Sequence, residues 1–213
     1  MLHTETIAPT TLELLKKIMR DENLPSFLLV DGTSLALQIG HRISADLDLF
    51  TNSPFDETAV NDHFWQHYGL ITDFMAKKTM KGEIDGVQID CIAHEYPWIR
   101  PFVEENGVRL ASMEDICAMK LNAIAGNGTR IKDFVDVAYL STRFSLNQML
   151  DFYEEKYHSN PLAPMKAITF FNDVNQLEPV RMVGGKKLKW KAIEKRLVEM
   201  EKKSGVTFIT PPM

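Results

Sequence analysis

Cysteine is nearly missing from this chain, which carries only Cys91 and Cys117. Both sit in apolar runs, Asp90-Cys91-Ile92-Ala93 and Ile116-Cys117-Ala118-Met119. They read as reduced core residues of a reducing compartment, not as a disulfide framework. No CxxC or CxxxH pair exists, so a structural zinc centre has no sequence support. Positive charge is not in excess either: 24 Lys and Arg stand against 29 Asp and Glu, a net charge of -5. Any contact with nucleic acid must therefore come from a local basic face. No apolar run approaches the roughly 18 residues that span a bilayer. The first fifteen residues lack a basic region followed by an apolar core, so no signal peptide is expected, and the cytoplasm is the expected location. Repeats and low-complexity segments are missing too.

What is present is an ordinary globular composition, 45% hydrophobic and 25% charged, over 213 residues. That length suffices for one core domain with a helical appendage. Thr10 and Glu13 form a capping-box pattern before an amphipathic helix reaching about Arg20. Phe27 to Val30 is a short apolar strand. Asp31-Gly32-Thr33-Ser34 reads as a turn, and Leu35 to Ile39 as one or two helical turns stopped by Gly40. Asp46 to Phe50 alternates polar and apolar, the period of a half-buried strand. A helix is expected from about Asp56 to Tyr68, with Gly69 just past its end. Strands follow at 71–75, 78–84 and 87–93, the last two joined by Asp85-Gly86, a strong hairpin signal. Pro97, Pro101 and Gly107 mark a loop region, with a short strand at 108–110. From Ser112, an N-cap candidate, the pattern turns helical: about 112–126, 132–140, 145–157, 165–171 and 188–203. The order implies an α+β (mixed α/β) fold, divided into a core, 1–111, and a helical region, 112–213.

The chemistry concentrates in two places. Residues two apart on a strand share a face, so Asp46 and Asp48 project together. Adjacent carboxylates repel unless a cation lies between them, and hard oxygen donors suit magnesium or manganese. The bland alternative is a pair of solvated strand-end aspartates. The turn at Gly32, Thr33 and Ser34 offers backbone N–H groups and hydroxyls to an anion at a helix start. Asp90 lies in the apolar run Val87-Gln88-Ile89-Asp90-Cys91, where burial is costly without a partner. Otherwise it faces solvent beside Gln88. His41 and Arg42, in the loop before Asp46, either contact phosphate or decorate the surface. Trp65, Trp98 and Trp190 read as packing residues, and the basic run Lys186 to Lys191 as a solvated helix start.

These motifs resemble a known family. Phe27 to Phe50 is similar to the first motif of the AbiEii/AbiGii-type nucleotidyltransferase toxins, a branch of the DNA-polymerase-beta-like superfamily. Ala111 to Leu140 resembles that family's Lys-bearing helix and its Arg-x-Lys-Asp-x-x-Asp segment, with Lys120, Arg130, Lys132, Asp133 and Asp136 in the matching positions. The chain departs from the pattern at Asp31, where the family has glycine. The resemblance implies a polymerase-beta-like core with a mixed β-sheet, followed by a C-terminal helical region. It implies Mg2+ (or Mn2+) held by Asp46, Asp48 and Asp90, phosphate contacts from Gly32, Thr33, Ser34, Arg42, Lys120 and Lys132, and an orienting role for Asp133. The implied reaction moves a nucleoside monophosphate from a nucleoside triphosphate to a hydroxyl of transfer RNA or of a protein. A cognate antitoxin is the implied partner. Two other classes accommodate the same residues: a non-catalytic binding module, favoured by Asp31, and a metal-dependent phosphohydrolase or nuclease.

Overall fold

The structure is a computed structural model that describes residues 1–212. It is mixed α/β and divides into two compact units, Met1–Ser112 and a second that begins at Met113.

The first unit is built on a seven-stranded mixed sheet. Its strands are β1 (Leu28–Leu29), β2 (Leu47–Thr51), β3 (Ile71–Ala76), β4 (Thr79–Ile84), β5 (Val87–Ala93), β6 (Val103–Glu105) and β7 (Val108–Leu110). Their order across the sheet is β3-β4-β5-β2-β1-β7-β6. β2 runs parallel to β5 and β1 parallel to β7, while the remaining neighbours are antiparallel. Three α-helices belong to this unit: α1 (Pro9–Arg20), α2 (Asp31–Ile39) and α3 (Glu57–Tyr68). The buried face of α1, Leu12, Leu15, Ile18 and Met19, joins Val60 and Phe64 of α3 in one core. That core covers Leu47, Leu49, Met80, Ile84, Ile89 and Cys91. Alternation does the rest: β2, β4 and β5 each bury every second residue, and the intervening positions face away from the core.

The second unit is helical: α4 (Met113–Gly126), α5 (Ile131–Leu140), α6 (Leu146–Tyr157), α7 (Leu162–Ala167) and α8 (Trp190–Lys202). Ser145 and Gln148 cap α6 reciprocally, satisfying two N-terminal donors. Trp190 meets Phe134 and Phe171 edge to face, so its packing role holds. Arg196 donates to the Ser141 hydroxyl and the Thr210 carbonyl, each at 2.8 Å, which ties the C-terminal tail to α8.

Several local expectations needed correcting. α1 starts at Pro9 after Ala8 and has no side-chain cap, so the Thr10–Glu13 capping box does not form. Proline at the first position supplies the helical φ instead. The residues read as a turn, Asp31 to Ser34, already belong to α2. Asp46 lies just before β2, not within it. β6 went unread because Val103-Glu104-Glu105 is charged and lies close to Pro101. Trp65 is exposed on α3, so it is not a packing residue.

Candidate functional site

β2 and β5 are in parallel register, with Asp48 opposite Asp90. β4 continues the row, because Lys81 pairs with Asp90 across the next antiparallel ladder. Residues in register on neighbouring strands share a face, and strands lie about 4.8 Å apart. The sheet therefore presents Asp48, Asp90 and Lys81 side by side on the face opposite the core. Lys81 Nζ forms an ion pair with Asp90 Oδ2. The pair is accessible, with 40% of the lysine side chain and 23% of the aspartate exposed. Asp46 is exposed two residues before Asp48. Among the described residues no group of three or more His, Cys, Asp or Glu side chains is gathered closely enough to hold a metal ion. The site is thus a pair of carboxylates, with a third just outside, and not a closed cage. Cys91, next to Asp90, is fully buried; burial first, and the charge of Asp90 second, push its thiol upward and remove it as a nucleophile.

The segment before β2 is braced from α2. Thr33 Oγ1 donates to the Asp46 carbonyl at 2.6 Å and lies 2.9 Å from Ser44 Oγ. Arg42 Nη1 donates to Ser44 Oγ at 3.2 Å. A Cβ at position 32 would lie 2.1 Å from Arg42 Nη2, so glycine is what lets the guanidinium reach the first turn of α2. Thr33, Ser34, His41 and Arg42 are all buried. Ser34 Oγ accepts from Gln38 Nε2 at 3.2 Å. Gly32, Thr33 and Arg42 thus brace the backbone through which Asp46 and Asp48 enter the sheet. Arg42 therefore does not decorate the surface. Asp31, at the start of α2, has φ of 54°, the left-handed region. Glycine enters that region freely, and aspartate tolerates it better than most residues. The departure from the family pattern therefore falls at a position with a backbone reason for glycine.

The remaining expected residues lie in the second unit and form another kind of cluster. Lys120 Nζ is 2.6 Å from Asp133 Oδ1 and 3.0 Å from Asp136 Oδ2, and all three side chains are sealed from solvent. Lys156 and Asp115 form a second sealed pair at 2.8 Å. Burial pulls the Lys156 ammonium below its ordinary range, and the bond to Asp115 opposes that shift. Lys132 is committed to Glu178 at 3.0 Å. Lys120 and Lys132, expected at phosphate, each have carboxylate partners within the second unit. The orienting role expected of Asp133 has a concrete partner in Lys120. Lys81 was missed. A lysine on a polar strand face reads as solvated, and only the β4–β5 register sets it against Asp90.

A mixed sheet bearing paired carboxylates on neighbouring parallel strands, followed by a helical unit, defines a mixed α/β class of protein with an acidic patch on one sheet face. The comparisons make the class specific. The family model described as "Nucleotidyl transferase AbiEii toxin, Type IV TA system" matches residues 79–207, more than half the chain. The chain belongs to that family and is a nucleotidyltransferase. Asp90, Lys120, Arg130, Lys132, Asp133 and Asp136 lie inside the matched segment; Asp46 and Asp48 precede it. An uncharacterized protein of Aquifex aeolicus (strain VF5) is 28% identical over 171 residues, 77% of this chain and 82% of the relative. A candidate nucleotidyltransferase from H. pylori aligns with TM-score 0.48 at 15% identity over 92% of this chain and 94% of its own. JHP933 from Helicobacter pylori aligns with TM-score 0.46 at 16% identity over 93% of this chain and 91% of its own. Among the described residues no helix is long and apolar enough to cross a membrane.

Proposed function

We propose that the chain transfers a nucleoside monophosphate from a nucleoside triphosphate to a hydroxyl, using the carboxylate row of the first unit and a divalent cation. The observation that carries this reading is the register of Asp48 with Asp90, with Lys81 held against Asp90. Magnesium is commonly bound by one or two carboxylates together with substrate phosphates, not by an all-protein cage. Two carboxylates in register, with Asp46 two residues away, fit that donor set. When bound there, the cation supplies charge stabilisation to the entering and leaving oxygens of an in-line displacement.

The chain's own residues do the positioning. Thr33 and Arg42 hold the Ser44–Asp46 approach, so that Asp46 and Asp48 meet the substrate from a fixed backbone. Lys81 keeps Asp90 neutralised in the free protein and releases it when cation and substrate arrive. The β- and γ-phosphates belong at the first turn of α2, whose dipole favours anions, with Asp31 set against them. The acceptor hydroxyl attacks the α-phosphorus and gives up its proton to solvent. A new P–O bond forms, the bond to the bridging oxygen breaks, and pyrophosphate leaves. Family membership adds the physiological reading: the toxin of a type IV pair, with a cognate antitoxin that neutralises it.

The test is transfer of label. Purified protein is incubated with Mg2+, each α-labelled nucleoside triphosphate in turn, and bacterial RNA and protein. Label on a macromolecule should fall by a factor on the order of 10³ in Asp46→Asn with Asp48→Asn, while the melting curve stays unchanged. Normal transfer by that folded double variant would sink the mechanism.

A further inference from the structure

The face that carries Asp48 and Asp90 continues along the strands as well as across them. β2 and β5 run in the same direction, and the next pair on that face is Phe50 with Ile92. Leu47, Leu49, Ile89 and Cys91 are buried in the core, so Phe50 and Ile92 stand on the open side with the carboxylates. Past the end of β5 the chain adds two more rings. The backbone N–H of His94 donates to the Thr51 carbonyl at 2.7 Å, which holds this segment against the end of β2. The His94 ring lies 5.5 Å from Phe50, and Tyr96 lies 4.9 Å from His94, centroid to centroid. Tyr96, at the far end, is 44% exposed. The three rings form a wall that begins two residues, about 7 Å, from the carboxylate pair.

Single apolar side chains at a surface need no explanation, whereas a contiguous aromatic strip beside a polar site marks a ligand surface. The position of the wall indicates which part of a ligand it meets. Across the strands the order is α2, entered from β1, then Asp48 on β2, then Asp90 on β5. The phosphates and the attacking hydroxyl lie on that line. The opposite direction along β2 is taken by Asp46 and the Thr33–Arg42 brace. The nucleoside carried by the α-phosphorus is therefore left the direction of Phe50, with the ribose spanning the gap. Glu95, between His94 and Tyr96, is paired with Lys78, so its charge is offset.

We propose that Phe50, His94 and Tyr96 form the seat of the nucleobase of the donor triphosphate. The base stacks against the rings while the cation holds the phosphates, and the α-phosphorus is fixed from both sides. Every base has a π-face, so such a wall accepts any base and separates a nucleoside triphosphate from a bare triphosphate. The seat rests on the transfer proposed above, for which it supplies specificity-determining residues.

Calorimetry of the full chain with Mg2+ and either a nucleoside triphosphate or inorganic tripolyphosphate tests the seat apart from transfer. The wild-type chain should bind the nucleotide about tenfold more tightly than tripolyphosphate. Tyr96→Ala should remove most of that gap, leaving the tripolyphosphate affinity and the melting temperature in place, and Tyr96→Phe should keep the gap. Phe50→Leu, which preserves apolar bulk, should narrow it in the same way. In turnover both losses should appear as a raised KM for the triphosphate with kcat little changed. A gap missing from the wild-type chain, or one that survives Tyr96→Ala and Phe50→Leu, overturns the seat and spares the transfer reading wherever label still reaches an acceptor. A folded wild-type chain that binds neither ligand overturns both.

Discussion

Lys81 and Lys120 are both held against aspartate, in opposite surroundings. Lys81 meets Asp90 on an open sheet face, where each partner keeps part of its hydration. Lys120 meets Asp133 and Asp136 in an interior with no exposure. A surface ion pair contributes little and exchanges readily, whereas a buried charge left without its partner is expensive. The first pair is therefore suited to yield its carboxylate to an incoming cation. The second fixes α4 against α5, as Lys156 and Asp115 fix α6 against α4. One type of contact thus serves exchange in the first unit and architecture in the second.

The largest expected effect comes from breaking the buried side of this contrast. Lys120→Ala strands two carboxylates and should cost about 3–5 kcal/mol, read as a lowered denaturation midpoint. Lys81→Ala should cost less than about 1 kcal/mol in the same measurement. Equal losses would erase the distinction. A smaller effect is expected at Asp31. Its left-handed φ costs an aspartate about 1 kcal/mol that glycine does not incur. Asp31→Gly should raise the melting temperature slightly and tighten nucleoside triphosphate binding a few-fold, because a negative charge leaves the first turn of α2. Unchanged or weaker nucleotide affinity, measured by calorimetry, would place Asp31 away from the phosphates.

The two units were not equally legible in the sequence. In the first, period-two alternation gave β2 and β5 and put Asp48 and Asp90 on polar faces, because burial of Leu47, Leu49, Ile89 and Cys91 leaves them no other side. What joins them is register across strands about forty residues apart, and no local pattern encodes that. Lys81 was hidden for the same reason. The start of α2 was misread because Asp31-Gly32-Thr33-Ser34 has turn composition, while Thr33 and Arg42 use that composition to brace the next loop. In the second unit the clue was visible. Asp133 and Asp136 lie among Ile131, Phe134, Val135 and Val137, and Lys120 lies among Ile116, Leu121 and Ile124. Charges in such apolar company must be paired, as Lys120 is with Asp133 and Asp136.

The most direct measurement is calorimetric titration of Mg2+ in the presence of a nucleoside triphosphate, with Asp48→Asn and Asp90→Asn combined as the comparison. Cation uptake by the wild-type chain that disappears in the double variant, with melting unchanged, is the expected result. Uptake of cation and nucleotide by the folded double variant at wild-type affinity would contradict a site built on the Asp48–Asp90 register.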